Sequence, residues 1–108
     1  MKKSFIVQGK VQGVMFRKSY CLAALQRGLL AGATNLDDRS KVLCSLEGSE
    51  VDMAKFMEEI LECEKLNSWG ANIISIEDVE FYKDLSEHDY DNRELNGPLS
   101  LNGVELLI

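Results

Sequence analysis

The sequence predicts an α+β fold in which two helices cover one face of an antiparallel sheet. Short runs rich in β-branched and aromatic residues alternate with two stretches of helical periodicity, and turn-forming residues separate them. The order of these segments is β-α-β-β-α-β, which is typical of a split βαβ arrangement. The chain has 108 residues, 45% of them hydrophobic and 28% charged, so residues 1–108 are expected to form a single domain.

The first strand and the first helix are predicted by composition and spacing. Residues 4–8 favour a strand, and residues 17–27 favour a helix that ends at Gly28. The apolar positions of this helix recur at the spacing of one face: Tyr20, Cys21, Ala24 and Leu25. Arg17 lies at the N-terminal end of the same face, so its side chain is expected to start toward the sheet and not toward bulk water.

Two further strands are predicted at residues 29–36 and 41–47, and the polar turn 37–40 joins them. Along the second of these strands, Val42, Cys44 and Leu46 alternate with other residues. This alternation predicts one covered face and one wetter face.

The second helix and the fourth strand complete the predicted arrangement. Ser49 is a suitable N-cap, and Asp52 follows three residues later, as in a capping box. The buried stripe of this helix is predicted to comprise Met53, Phe56, Met57, Ile60 and Leu61. Residues 73–81 favour the fourth strand.

The last quarter of the chain, residues 83–108, is expected to be an extended segment of the same domain. Residues 83–97 are acidic and read as a loop that ends at Pro98. Residues 99–108 are apolar around Asn102-Gly103, which predicts an added edge strand or hairpin.

Charge and composition restrict the possible partners. The net charge is −6, yet residues 1–30 carry six basic residues and no acidic one. This distribution favours a small anionic ligand and argues against nucleic acid. No apolar run is long enough to span a membrane or to act as an export signal, so we expect a cytoplasmic protein without a membrane partner.

Cysteine and histidine usage gives no support for a metal site. The three cysteines are widely spaced among apolar neighbours, which predicts reduced thiols in the core. His88 is the only histidine, so a zinc site or a histidine-based triad has few residues available. We therefore expect no metal and no cofactor.

The stretch 9–17, GKVQGVMFR, is the candidate functional motif. A glycine-bearing turn between a strand and a helix N-terminus can bind an anion through successive backbone N–H groups. Those groups would come from Gln12, Gly13, Val14, Met15, Phe16 and Arg17. The Arg17 guanidinium adds a planar set of donors, and Gly9 and Gly13 are expected to let the backbone lie close to the ligand.

Taken alone, this stretch also fits an ordinary strand–turn–helix connection with a solvated Arg17. It is neither a P-loop nor a GxGxxG pattern, so the physical argument by itself favours the simpler interpretation. The stretch is similar, however, to the signature of the acylphosphatase family, Gly-x-Val-Gln-Gly-Val-x-Phe-Arg, with every fixed position present. The similarity continues to about Val79.

This resemblance implies a ferredoxin-like fold, which agrees with the predicted element order, and metal-independent hydrolysis of acyl phosphates. It also implies that Arg17 binds the phosphate and that Asn35 orients the attacking water. The chemistry is consistent, because the leaving carboxylate has a conjugate acid of pKa roughly 4 and departs without a general acid. Fixed donors can stabilise the charge on the equatorial oxygens, and a neutral amide can position the water.

The expected ligand is therefore a small acyl phosphate, and inorganic phosphate or sulfate is expected to occupy the same site of a monomer. Hydrogenase-maturation proteins, which act on carbamoyl phosphate, contain the same motif in a larger chain. A chain of 108 residues is too short to be one of those, although carbamoyl phosphate is a candidate substrate.

Several positions differ from the family pattern and keep alternatives open. Residues 31–34 replace the usual residues before Asn35, the following turn is longer, and Ser68-Trp69-Gly70 stands near the place of a frequent Gly-Pro. These differences concern rate and substrate fit more than fold. One alternative is a catalytically weak or inactive anion-binding or regulatory module. A ferredoxin-like RNA-binding domain is disfavoured by the acidic charge and by the lack of suitable aromatic residues on the strands.

Overall fold

The computed structural model describes residues 1–93 and 103–108, and it contains the predicted helices and strands. Their bounds are β1 (Lys2–Lys10), α1 (Phe16–Gln26), β2 (Leu30–Asn35), β3 (Lys41–Glu47), α2 (Glu50–Glu62), β4 (Asn72–Asp78) and β5 (Tyr90–Asp91). A short 3-10 helix at Leu85–Glu87 precedes β5. None of the helices in these ranges is long and apolar enough to cross a membrane.

The strands form one antiparallel sheet in the order β4-β1-β3-β2-β5. The two helices follow β1 and β3, so the predicted ferredoxin-like arrangement is confirmed. The added edge strand is present, but it lies at Tyr90–Asp91, within the stretch predicted to be a loop, and pairs with β2. The predicted location, 99–108, lies partly on residues 94–102, which are outside the described part of the chain.

Residues 103–108 pair with the connection that follows α2 and not with the edge of the sheet. Asn67 and Leu106 form an isolated antiparallel bridge. The backbone N–H of Ser68 donates to the carbonyl of Glu105 at 2.8 Å, and that of Leu107 donates to the carbonyl of Leu66 at 2.8 Å. The terminal residues therefore support the connection between α2 and β4.

Aromatic side chains join the helices to the sheet. The Tyr20 ring lies 5.8 Å from Phe16, 5.7 Å from Phe56 and 6.3 Å from Phe5, measured between ring centroids. All four residues are almost fully buried. The Tyr20 hydroxyl donates to the carbonyl of Ser45 at 2.9 Å, which satisfies its polar atom in the core.

The N-cap of α2 is the predicted one, and most of its predicted buried stripe is present. Ser49 caps α2 by accepting a hydrogen bond from the backbone N–H of Asp52 at 3.1 Å. Met53, Phe56 and Ile60 are buried as predicted and Met57 is partly buried, whereas Leu61 is 42% exposed. Leu61 lies at the edge of the stripe, where the helix surface turns away from the sheet.

On β3, the face of the sheet opposite the helices is covered, which makes the prediction of a wetter face on this strand wrong. Leu43 and Ser45, which alternate with the core residues, are also buried. The cover is the segment 79–93. Within it, His88 lies against Gly32 so closely that a Cβ at position 32 would come within 2.6 Å of the imidazole Cδ2.

Gly9 has a structural role that differs from the predicted one. It lies inside β1, at a register shift between β1 and β4. A Cβ at this position would meet the carbonyl oxygen of Asn72 at 2.2 Å. Glycine is therefore required for the close approach of two strands and not for contact with a ligand.

Candidate functional site

The connection between β1 and α1 has the backbone geometry of an anion-binding turn. Gly13 has φ +76°, and Met15, the N-cap of α1, has φ 57° and ψ 30°. Among the described residues, Met15 is the only non-glycine with positive φ, a conformation that is typical of strained functional sites. No side chain within residues 1–93 and 103–108 caps this helix start, and its first turn has no acidic residue, so its N–H groups can meet an anion.

This connection borders a cavity of about 440 Å³. Of the predicted site residues, Gln12, Gly13, Met15, Phe16, Arg17 and Asn35 line it. The structure therefore brings together two side chains that are far apart in sequence, the guanidinium of α1 and the carboxamide at the end of β2. The other lining residues are Val11, Lys18, Trp69, Asp89 and Tyr90.

Val14 was predicted as a site residue but does not line the cavity. It is buried, and its carbonyl accepts a hydrogen bond from Asn67 Nδ2 at 2.8 Å. Its role as a phosphate ligand, which requires only the backbone N–H, stays a prediction.

The Gln12 side chain ties the connection to the turn after β2. Its Nε2 donates to the carbonyl of Leu36 at 2.8 Å and to that of Lys41 at 3.0 Å, with a longer contact of 3.3 Å to Asp38. Because Leu36 directly follows Asn35, these hydrogen bonds fix the distance between the anion-binding turn and the carboxamide. No pattern in the sequence indicated that the Gln12 side chain would bind these carbonyl groups.

The Asn35 side chain has a buried acceptor, Oδ1, which makes no hydrogen bond to any of the described residues. An unsatisfied buried polar atom costs about 1–3 kcal/mol, so native proteins keep few of them, often for a functional reason. An oxygen in this position can accept a hydrogen bond from water or from a ligand.

Arg17 forms an ion pair that was not predicted from the sequence. Its Nη1 lies 3.4 Å from Asp89 Oδ2, and the two side chains are 39% and 48% exposed. An exposed pair with one long contact contributes little to stability. An anion in the cavity can therefore compete with Asp89 for the guanidinium.

His88 connects β2 and β3 to the segment that carries Asp89. Its Nδ1 lies 2.9 Å from Thr34 Oγ1, and its Nε2 lies 2.7 Å from Ser45 Oγ. Thr34 directly precedes Asn35, and its hydroxyl oxygen also accepts the backbone N–H of Asp89 at 3.0 Å. Burial lowers the pKa of His88 to about 4, so the imidazole is neutral at pH 7.

A consistent proton arrangement exists for the neutral imidazole. Nε2–H donates to Ser45 Oγ, whose own proton goes to the carbonyl of Lys83 at 2.7 Å, while Thr34 donates to Nδ1. Protonation of Nδ1 would remove the acceptor that the Thr34 hydroxyl uses. His88 therefore acts as an uncharged spacer that places residues 34 and 89 beside the cavity.

Asn67 is a second positioning residue that was not predicted. It is fully buried, and its Nδ2 donates to the Val14 carbonyl and to Ser19 Oγ, both at 2.8 Å. Its Oδ1 accepts the backbone N–H groups of Trp69 at 3.0 Å and Ala71 at 3.2 Å. This side chain connects the anion-binding turn, α1 and the connection after α2.

The cysteines lie outside the cavity lining. Cys21 and Cys44 are buried free thiols, and burial raises the pKa of each above its usual value. These two are core residues, as predicted, whereas Cys63 is only half-buried. Across residues 1–93 and 103–108, no three His, Cys, Asp or Glu side chains are grouped closely enough to hold a metal ion.

The fold and this cavity define a ferredoxin-like protein with a cavity at the turn that leads into α1. The acylphosphatase family model matches residues 3–93. The chain belongs to the acylphosphatase family, and the match extends beyond Val79, where the recognisable similarity was expected to end. Family membership supports acylphosphatase activity.

Individual relatives agree with this assignment. Acylphosphatases from three strains of Clostridium perfringens are each 34% identical to the chain over 87 residues, which is 81% of this chain and 92% of each relative. The crystal structure of acylphosphatase from Bacillus subtilis superposes with a TM-score of 0.58 at 26% identity, covering 89% of both chains.

A larger protein also contains a similar unit. The crystal structure of T. kodakarensis HypF matches with a TM-score of 0.59 and 34% identity over 75% of this chain. The chain spans only 10% of that protein. The similarity therefore concerns one part of HypF.

Proposed function

We propose that this protein hydrolyses acyl phosphates to a carboxylate and inorganic phosphate without a metal ion. One observation carries the proposal: Arg17 and Asn35, from different elements, line the same cavity as the anion-binding turn. The arrangement supplies a positive group and a water-positioning group on a rigid framework.

Phosphate binding is assigned to the turn and to Arg17. Backbone N–H groups from Gln12 to Arg17 surround the phosphoryl oxygens, and the N-terminus of α1 favours their negative charge. The guanidinium leaves Asp89 and donates to the phosphate, which offers a higher charge than a single carboxylate. These donors stabilise the charge that the equatorial oxygens carry in the transition state.

Attack is assigned to a water held by the Asn35 carboxamide. The water oxygen forms a bond to phosphorus on the side opposite the acyl oxygen, and the bond between phosphorus and that oxygen breaks. The carboxylate leaves with the electron pair, and the water protons pass to a phosphate oxygen and to solvent. Orientation is the main requirement, because the leaving group is stable as an anion.

The test is hydrolysis of benzoyl phosphate with and without EDTA. We expect EDTA to leave the rate unchanged and Arg17→Ala to abolish turnover together with inhibition by phosphate. Asn35→Ala is expected to lower kcat by about 100-fold, which is the scale of losing one preorganised transition-state contact. Phosphate inhibition should persist in this variant.

Arg39→Ala serves as the control, because it removes one positive charge from an exposed position on the turn after β2. Its kcat and its phosphate inhibition should stay within twofold of the unmodified protein. Full activity of Asn35→Ala would remove the catalytic role of that residue, and full activity of Arg17→Ala would reject the proposed site.

A second candidate function is anion binding without hydrolysis, in a regulatory module. The Asp89 carboxylate beside Arg17 favours it, since it occupies the group that the substrate must bind. Calorimetry would then detect phosphate binding, while benzoyl phosphate would release no phosphate above the uncatalysed rate.

A further inference from the structure

The part of the cavity beyond the anion-binding turn provides a second binding region. We propose that Trp69 and Tyr90 form a subsite for the acyl group and that this subsite selects aromatic acyl phosphates over small ones such as acetyl phosphate. The inference rests on the proposed function and names the substrate class of the same cavity.

The cavity is larger than a phosphate group requires. Its volume of about 440 Å³ lies in the range of small-molecule sites, roughly 300–1,000 Å³. The turn and Arg17 account for one end of the lining. Trp69 and Tyr90, together with the Met15 side chain, give the remaining lining a largely apolar and aromatic character.

Trp69 is held at a fixed distance from the phosphate-binding turn. Its backbone N–H donates to Asn67 Oδ1 at 3.0 Å, and the other end of the Asn67 amide donates to the carbonyl of Val14 within the turn. The Trp69 residue is still 48% exposed. A large aromatic residue that is anchored by buried contacts and open to a cavity is suited to contact a ligand.

The C-terminal residues brace this tryptophan. Glu105 N–H donates to Ser68 Oγ at 2.8 Å, and Ser68 N–H donates to the Glu105 carbonyl at 2.8 Å. The indole Nε1 contacts the carbonyl of Gly103 at 3.4 Å. Residues 103–108 lie beyond the family match at 3–93, so the support of Trp69 comes from a part of the chain outside that match.

The charged residues of the cavity lining are of both signs, Arg17 and Lys18 against Asp89, so the preference for an aromatic acyl group rests on the aromatic rings. Burial raises the pKa of Tyr90, so its phenol stays neutral at pH 7 and presents an uncharged ring. Aromatic rings prefer to pack against such rings in offset or edge-on geometry.

The first test compares kcat/KM for benzoyl phosphate and acetyl phosphate. In Trp69→Ala, we expect the benzoyl-to-acetyl ratio to fall about fivefold, the scale of one aromatic contact. Trp69→Phe keeps an aromatic ring and should hold the ratio within twofold. The control Phe81→Ala removes a 58% exposed aromatic residue that is not part of the cavity lining and should leave the ratio unchanged.

An unchanged benzoyl-to-acetyl ratio in Trp69→Ala, which is also the result of equal losses of kcat/KM for both substrates, would overturn the subsite. A protein that hydrolyses neither substrate would instead reject the proposed function. The subsite can then still be tested by measuring the binding of substrate analogues.

The second test uses Trp69 as a reporter, because it is the only tryptophan of the chain. Phenacylphosphonate and acetonylphosphonate resemble benzoyl phosphate and acetyl phosphate. In each, a methylene group replaces the oxygen that bridges the acyl carbon and phosphorus. We expect phenacylphosphonate to alter the tryptophan emission and to bind about fivefold more tightly than acetonylphosphonate. Equal affinities of the two phosphonates, or an emission that phenacylphosphonate leaves unchanged, would reject the subsite independently of catalysis.

Discussion

The helix face of the sheet and the part of the opposite face formed by β2 and β3 are both covered, but different interactions cover them. On the helix face, side chains such as Phe5, Val7 and Leu46 pack against α1 and α2 with no exposed surface. On the opposite face, the segment 79–93 is held by hydrogen bonds among His88, Ser45 and residues near them. Packing supplies the stability of the fold, whereas the directional contacts determine where Asn35 and Asp89 lie.

The largest expected effect is on the helix face. Phe56→Ala removes a fully buried ring that contacts Tyr20 and leaves a cavity between α2 and the sheet. We expect a loss of about 3–5 kcal/mol in the free energy of unfolding, measured with urea. Leu61→Ala, on the exposed side of the same helix, should lower the free energy of unfolding by well under half of that amount. Equal losses would mean that α2 does not anchor the core.

An intermediate effect is expected on the opposite face and depends on pH. The pKa of His88 is lowered to about 4 in the folded protein, so the unfolded chain binds more protons and stability rises with pH. The contribution is present above pH 6.5 and is lost as pH falls toward 4. As the pH falls from 7 to 5, the free energy of unfolding should decrease by roughly 2 kcal/mol.

The control for this pH effect is His88→Gln, which keeps a polar side chain that does not titrate. Since His88 is the only histidine, the variant should show a much flatter dependence of urea stability between pH 7 and 5. The same slope in both proteins would place the pH dependence elsewhere, in the carboxylates.

The smallest effect is expected where the segment 79–93 reaches the cavity. Asp89→Asn keeps the backbone hydrogen bond to Thr34 and removes the charge that pairs with Arg17. Phosphate should bind about two- to threefold more tightly at low salt, because a like charge is removed, and the gain should shrink at high salt. Glu87→Gln, an exposed residue of the same segment, is the matched charge control. Weaker phosphate binding in Asp89→Asn would show instead that the carboxylate orients Arg17.

The helix face was predictable from sequence because local periodicity determines it. The spacing of Met53, Phe56 and Ile60 places them on one side of α2, and the Ser49 cap follows from the side chain and its neighbour three residues later. The turn at 9–17 was likewise visible, because its glycines and Arg17 occupy a short, recognisable pattern.

The opposite face was not predictable in this way. Ser45 is a polar residue that alternates with apolar ones, which normally indicates a solvated position. Its burial depends on His88, 43 residues away, and no local pattern reports a hydrogen bond at that separation. The contacts of Gln12 and Asn67, and the pairing of Asp89 with Arg17, were missed for the same reason.

The short length of β5 has a consequence for association between copies of the chain. This strand comprises only two residues, and it pairs at one of them with Gly32, the position against which His88 lies. A strand this short offers little free backbone for another molecule to extend the sheet. The opposite edge, β4, ends in Glu77-Asp78, and charged side chains on an edge strand hinder its pairing with another copy of the chain.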